Sequence, residues 1–126
     1  MELNVMDPEE KILKAYDLQA QFLKVLTHPT RIAILMILRD GEHCVCHMEA
    51  HLGLRQAYIS QQLSVLREAG LIQDRREGWN IFYRATDARV YAVLDAVQKI
   101  TGQSLTDLHQ DAVHCSCPQC GPQASS

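Results

Sequence analysis

The stretch EHCVCHMEAHLGLRQAYISQQLSVLREAGLI, running from Glu42 to Ile72, decides the fold. It divides at Gly53, whose tolerance of positive φ suits a sharp reversal, with Leu52 and Leu54 facing inward on either side. Met48 and Leu52 lie one helical turn apart before it, and Ile59, Leu63 and Leu66 recur at i, i+4 and i+7 after it. Two apolar stripes meeting across a glycine turn make a helix-turn-helix. The outward positions of the second helix are Gln56, Tyr58, Ser60, Gln61, Gln62 and Ser64, with Arg67 near its end. They are hydrogen-bonding or basic groups with no acid to repel phosphate. Glutamine pairs with adenine edges and hydroxyls serve base or backbone, so this face has the inventory of a DNA reader. An ordinary solvated helix face is the competing reading.

The segment from Gly70 to Ala85 weighs against that plain alternative. Gly70 ends the helix, Leu71 to Arg76 and Asn80 to Ala85 carry strand-like residues, and Glu77-Gly78 supplies a hairpin turn. A hairpin directly after a recognition helix is a wing, and Arg75, Arg76 and Arg84 on it can meet phosphates or a narrow minor groove. The expected fold is therefore mainly α with a small β-hairpin, a winged helix-turn-helix.

The 126 residues allow one modest core. We expect a DNA-binding and dimerisation domain over residues 1–102 and a flexible cysteine-containing tail over 103–126. The acidic start MELNVMDPEEK lacks the charged and apolar regions of a signal peptide, and no apolar run is long enough to span a bilayer, so a cytoplasmic protein with no membrane partner is expected. The net charge of −3 is unlike that of a nonspecific nucleic-acid binder. From Arg55 to Arg84, however, five arginines stand against three acids, which concentrates positive charge on the DNA-reading segment.

Along the rest of the chain, residues 7–26 read as one helix capped by Asp7, with Pro8 in its first turn. Its apolar residues cover more than one stripe, enough for its own domain and a second subunit. A second helix begins at Thr27 or His28 with Pro29 in its first turn and is largely core, and His28 is a structural hydrogen-bonder there. A last helix opened by Asp87 carries Val90, Val93, Leu94, Val97 and Ile100 at seam-like spacing, and a short helical turn over Ser104 to His109 can follow. A homodimer paired through the first and last helices is the expectation.

Five cysteines, an odd number, argue against a disulfide framework and for metal or thiol chemistry. They fall in two clusters: Cys44 and Cys46 in CVC, and Cys115, Cys117 and Cys120 in CSCPQC. Residues two apart in a regular helix point about 200° away from each other, so Cys44 and Cys46 converge only across a helix start, where the helix dipole also favours thiolate. A soft ion such as As(III) takes three ligands, and Zn(II) or Cd(II) usually four. The missing donors can come from His43, His47, His51, Glu49 or the tail, since about thirteen residues after Gly102 span roughly 40 Å when extended. Two small buried hydrophobes are the alternative for CVC. For CSCPQC the alternatives are a self-contained metal clip, a redox switch or a tail without a role.

HPTRIAILMIL, CVCHMEAHLGL, ISQQLSVLREAGLI and RREGWNIFYRA, in this order and spacing, together resemble the ArsR/SmtB family of dimeric winged-helix repressors over roughly Leu23 to Ile100. The resemblance implies a dimer that holds a double-stranded operator and is released when a metal or metalloid binds. CVC looks like the family's thiolate site for As(III), Sb(III), Cd(II) or Pb(II). The pattern there is often CVCxxC, and its third cysteine falls at Glu49 in this chain, which makes the tail cysteines the replacement. A second family site, for zinc, has Asp87 matched here but Arg89, Ile100 and Gln103 at its other ligand positions, so the resemblance implies that it is absent. Similarity to persulfide-sensing members leaves a thiol-redox or persulfide-responsive repressor open. No nucleophile elbow or comparable catalytic frame is visible, so an enzyme is not expected. A thiol-disulfide oxidoreductase would need Cys117-Pro118-Gln119-Cys120 at a helix start in a βαβ frame, which this sequence does not offer.

Overall fold

The computed structural model describes residues 7–102. The expected tail over 103–126, with Cys115, Cys117, Cys120 and the turn from Ser104 to His109, lies outside the described residues. The elements run α1 (Pro8–Ala15), α2 (Asp17–Val25), α3 (Pro29–Ile37), a 3₁₀ turn (Leu38–Asp40), β1 (His43–Cys44), α4 (Val45–Leu52), α5 (Gln56–Glu68), β2 (Ile72–Glu77), β3 (Asn80–Ala85) and α6 (Arg89–Thr101). The expected mainly helical winged fold is present, with two differences. The single helix expected over 7–26 is two helices broken at Tyr16, whose N–H bonds back to Leu13 and Lys14 carbonyls as a cap. The expected hairpin is a three-stranded antiparallel sheet in the order β1-β3-β2, because His43 and Cys44 pair with Tyr83 and Phe82.

Local chemistry sets the boundaries. Asp7 caps α1 by accepting from the Glu10 N–H at 2.8 Å. His28 caps α3, its Nδ1 accepting from the Thr30 N–H at 3.3 Å, with Pro29 at the first position. Gly53 turns α4 toward α5 at φ +66°. At the end of α5 the Leu71 N–H bonds the Leu66 carbonyl and the Gly70 N–H bonds that of Arg67, a Schellman closure that requires Gly70 at φ +80°. Thr86 then clamps the hairpin's base to this corner, its N–H donating to the Leu71 carbonyl and its hydroxyl to the Gly70 carbonyl.

The core lies where α3, α4, α5 and the hairpin base meet. Ile34, Leu35, Met48, Ile59, Leu63, Leu66 and Ile72 are all but fully buried. The inward stripe read from the sequence holds at Met48, Ile59, Leu63 and Leu66, whereas Leu54 is 37% exposed and not inward-facing. Ile12 and Leu13 of α1, Tyr16 at the break, Leu18 and Leu23 of α2, and Val97 and Ile100 of α6 are exposed large hydrophobic residues. Among the described residues no helix is long and apolar enough to cross a membrane.

Helix α6 is tied to this core by Tyr91, whose buried hydroxyl donates to the Leu35 carbonyl. Burial pushes the Tyr91 phenol up to about 12. Arg39 covers the same ring at 5.0 Å and reaches Asp95 through two hydrogen bonds of 2.7 and 2.8 Å. Tyr91→Phe is expected to cost about 1–3 kcal/mol in urea unfolding, because it leaves a buried carbonyl without its donor. A phenol whose folded pKa is raised contributes stability below its unfolded value, about 10, and loses it as pH climbs through about 12. The alkaline fall in stability over that window should therefore be shallower in the variant.

Candidate nucleic-acid interface and thiol site

Helix α5 follows the Gly53 turn and packs its buried stripe on α3 and α4, so its opposite face is turned out. Gln56, Tyr58, Gln61 and Arg67 are exposed on it, and Ser60 and Ser64 are half-buried. Gln62 corrects the sequence reading, for it is 7% exposed and not on the outward face. Its Oε1 accepts from Arg31 Nε at 2.8 Å, and Arg31 also donates to the Val25 carbonyl at 3.2 Å. A polar side chain at a core position is tolerated because its oxygen is satisfied by a charged donor. Tyr58 is also held from behind: its hydroxyl and His28 Nε2 are 3.1 Å apart. With Nδ1 accepting from Thr30, the consistent tautomer carries the proton on Nε2, which donates to the phenol oxygen and leaves the phenol hydrogen free to point outward.

The wing carries the three expected arginines in different states. Arg75 is committed to protein carboxylates: Nε lies 2.9 and 2.8 Å from the two Glu42 oxygens, and Nη1 lies 2.7 Å from Glu77. A phosphate contact by Arg75 would have to compete with these two carboxylates. The Arg75 guanidinium holds Glu42 below the usual carboxylate range. Arg84 donates to Gln73 at 2.6 Å. Arg76 is exposed and has no ion-pair partner among the described residues. The same is true of Arg55, the N-cap residue of α5, which the sequence reading left out of the interface; its position ahead of a helix start was the available signal. Arg67, at 3.5 Å from Asp74, is a loose pair.

Cys44 and Cys46 are brought together. Cys44 ends β1 and stands at the N-cap of α4 in extended conformation, φ −86° and ψ 167°, so the chain turns between the two residues instead of separating them as a helix would. Their Cα atoms are 5.4 Å apart and their sulfurs are paired as a disulfide. Cys44 is 2% exposed and packs with Cys46 and Phe82. The strand register extends this contact. Cys44 faces Phe82 and Phe82 faces Arg75, whose guanidinium lies 4.8 Å over the Phe82 ring. One rung of the sheet thus runs from a sulfur to the wing arginine that grips Glu42.

The imidazoles of His43, His47 and His51 stack in a column beside this junction, with ring centroids 4.2 and 5.9 Å apart. Burial first, then its neighbours His43 and His51, lower the His47 pKa; burial also lowers that of His43. Among the described residues, however, no three His, Cys, Asp or Glu side chains form a group able to hold a metal ion. His43, His47, His51 and Glu49 are thus not gathered with the two sulfurs into a preformed group. Reduced to thiols, Cys44 and Cys46 would offer two convergent soft donors, one short of the three that an ion such as As(III) takes. Asp87, the matched position of the zinc pattern, is taken up by Arg89 at 2.6 Å, which holds its carboxyl at about 2.

Residues 28–74 match the sequence profile of the family described as "Bacterial regulatory protein, arsR family". The chain is 43% identical over 81 residues to the biofilm growth-associated repressor of Agrobacterium fabrum, spanning 64% of this chain and 69% of that protein. It is 42% identical over 84 residues to the arsenic resistance transcriptional regulator ArsR1 of Pseudomonas putida, spanning 60% and 66%. Among solved structures, the homodimeric winged helix-turn-helix DNA-binding domain of a possible ArsR-family regulator from Mycobacterium bovis superposes with a TM-score of 0.63 at 27% identity, covering 86% of this chain and 98% of that one. With a reading helix, a wing and this degree of likeness to known repressors, the chain belongs to the ArsR/SmtB family of winged helix-turn-helix transcriptional regulators, a family of repressors and not of enzymes.

Proposed function

We propose that this repressor holds an inverted-repeat operator as a homodimer and lets go when a soft metal or metalloid ion, As(III) or Sb(III) foremost and otherwise Cd(II), Pb(II) or Zn(II), is bound through Cys44 and Cys46. The observation that carries this reading is the convergence of two sulfurs at the one point where the chain passes from the sheet that includes the wing to the helix that supports α5. Cys115, Cys117 and Cys120 supply the remaining donors, from the same subunit or its partner. The likeness to an arsenic resistance regulator supports the choice of ion.

Two copies of the α5 face enter successive major grooves about 34 Å apart. Gln56 and Gln61 read base edges there, while Tyr58, Ser60, Ser64, Arg67, Arg76 and Arg84 take backbone or base contacts. The exposed apolar faces of α1, α2 and α6 pair the subunits and fix the spacing of the reading helices. Ile100, 83% exposed, is part of that seam. Ile100→Glu is expected to shift the protein to monomer in sedimentation and to abolish tight operator binding.

Ligation draws the sulfurs to ion-defined distances and turns, and the strain has two exits. One runs through α4 into α5. The other runs through Phe82 and Arg75 into the wing. In fluorescence anisotropy with a labelled operator fragment and the Cys44–Cys46 pair reduced to thiols, As(III) should weaken binding by about 5- to 150-fold, the range of ordinary allosteric couplings. A reduced Cys44→Ser, Cys46→Ser double variant should bind DNA normally and ignore the ion; release equal to that of the unsubstituted protein would remove the sensor assignment. Phe82→Leu separates the two exits. Thiolate-to-metal absorption should titrate as before, while the release factor falls by about 2- to 30-fold; an unchanged factor would confine coupling to the helices.

A second reading has its own observation. The sulfurs of Cys44 and Cys46 pair as a disulfide, so the same site can respond to an oxidant such as a peroxide, which takes up the two electrons released as the two thiols lose their protons and join. Release of operator by peroxide, with no response of reduced protein to As(III) or Cd(II), would select it.

A further inference from the structure

We propose that Trp79, at the tip of the wing, is a DNA-contacting wedge that seats in the minor groove beside the major-groove footprint of α5; this rests on the operator-binding reading above. Trp79 is the only tryptophan of the chain and is 101% exposed, so its large apolar surface contributes nothing to the core of its own domain. It stands just beyond the last cross-strand pair of the hairpin, Glu77 with Asn80. In the two-residue turn Gly78 takes φ +61° and no residue other than glycine has positive φ, the pattern of a type II′ turn with glycine first. The ring is thus carried on a defined turn, at the end of strands that extend about 20 Å from their base at typical rise.

That base is locked to the end of the reading helix through Gly70, Leu71 and Thr86. After Ile72 every residue of β2 is exposed, so the wing projects away from the core beside α5. Its charge also favours a polyanion. Glu77 and Asp74 are each paired with an arginine, whereas Arg76, three residues before Trp79, has no ion-pair partner among the described residues. A flat apolar ring at the tip of a wing that also carries an exposed arginine is a combination that minor grooves accept: the cation follows the groove's negative potential, and the ring packs on sugars and base edges or enters a flexible step.

Because the chain has no other tryptophan, its intrinsic emission reports on this residue alone. The probe is a duplex selected by the unsubstituted protein from a random pool, with binding followed independently by anisotropy of a label on the DNA. As the duplex saturates, Trp79 emission should change, and its quenching by neutral acrylamide should fall in step with the anisotropy curve. Trp79→Ala should fold with an unchanged thermal midpoint, bind the duplex roughly 5- to 50-fold more weakly, the loss of about one aromatic contact, and keep the same slope of log Kd against log salt. Trp79→Phe should recover most of the affinity, and Arg76→Ala should lower the salt slope.

Rising anisotropy with Trp79 still fully open to acrylamide, together with unaltered binding by Trp79→Ala, would overturn this proposal and leave the repressor reading standing. Emission that shifts with protein concentration in the absence of DNA would assign the tip to a second copy of the chain and overturn it likewise. Failure to select any duplex would sink the operator reading and this one with it.

Discussion

The pairing of β1 with β3 is the constraint that sets the arrangement of the site. It involves two residues, His43 and Cys44, opposite Tyr83 and Phe82. Without that pairing the segment between the 3₁₀ turn and α4 would be a loop, and the sulfur of Cys44 would have no fixed relation to the wing. With it, Cys44 is buried against Phe82 while Val45 already begins α4, whose Met48 is fully buried in the core shared with Ile59 and Leu63. Any change of geometry at Cys44 and Cys46 has to be absorbed by the sheet, by the helix or by both. Close-packed cores absorb such changes poorly, and a small local shift is passed on as a displacement of whole elements.

The reading helix is held from the rear as carefully as it is presented at the front. Arg31 reaches from α3 to Gln62, and His28 reaches from the start of α3 to Tyr58. Both links fix the rotation of α5 about its own axis, and with it the direction in which Gln56 and Gln61 are presented. The charge distribution serves the same end. Acids on the wing are each matched by a nearby arginine, so a chain with net charge −3 still presents cations at Arg55 and Arg76, where a duplex would lie. A weakly charged surface suits the proposed release, since a strongly basic one would hold nonspecific DNA regardless of any effector.

Much of this was legible in the sequence because it is local. The apolar recurrence of Ile59, Leu63 and Leu66, the reversals at Gly53 and Gly70, the Asp7 and His28 caps and the hairpin at Gly78 are each set by residues within a few positions of one another. The features that escaped are long-range. Gln62 reads as outward from its polarity, and only Arg31, 31 residues away, makes its burial tolerable. Arg75 reads as an open cation, and its pairing with Glu42, 33 residues distant, is not visible in the local sequence. Strand β1 is two residues long, too short for any alternation to announce it, and its existence depends on where β3 happens to pass. The break at Tyr16 has no proline or glycine to mark it; the residue accepts a helical-region φ of −96° and the helix restarts at Asp17.

On the proposed function, the two sulfurs would also bear on how tightly an effector is held while the repressor is on its operator. Coupling between ion and DNA is reciprocal, so whatever factor the ion takes from operator affinity, the operator takes from ion affinity. On that proposal the exchange is felt at Cys44, the point where the support of α5 and the wing's sheet share a single residue. On a duplex that engages both α5 and the wing, Cys44 is held between two elements whose positions are fixed by DNA, and the sulfurs can no longer adjust freely to an ion's preferred geometry. Free in solution the same junction can relax around the ion. A sensor placed on α4 alone would feel only the reading helix, and one on the wing alone only the wing. Placed at their meeting point, the proposed sensor would respond to the whole grip of the protein on its operator.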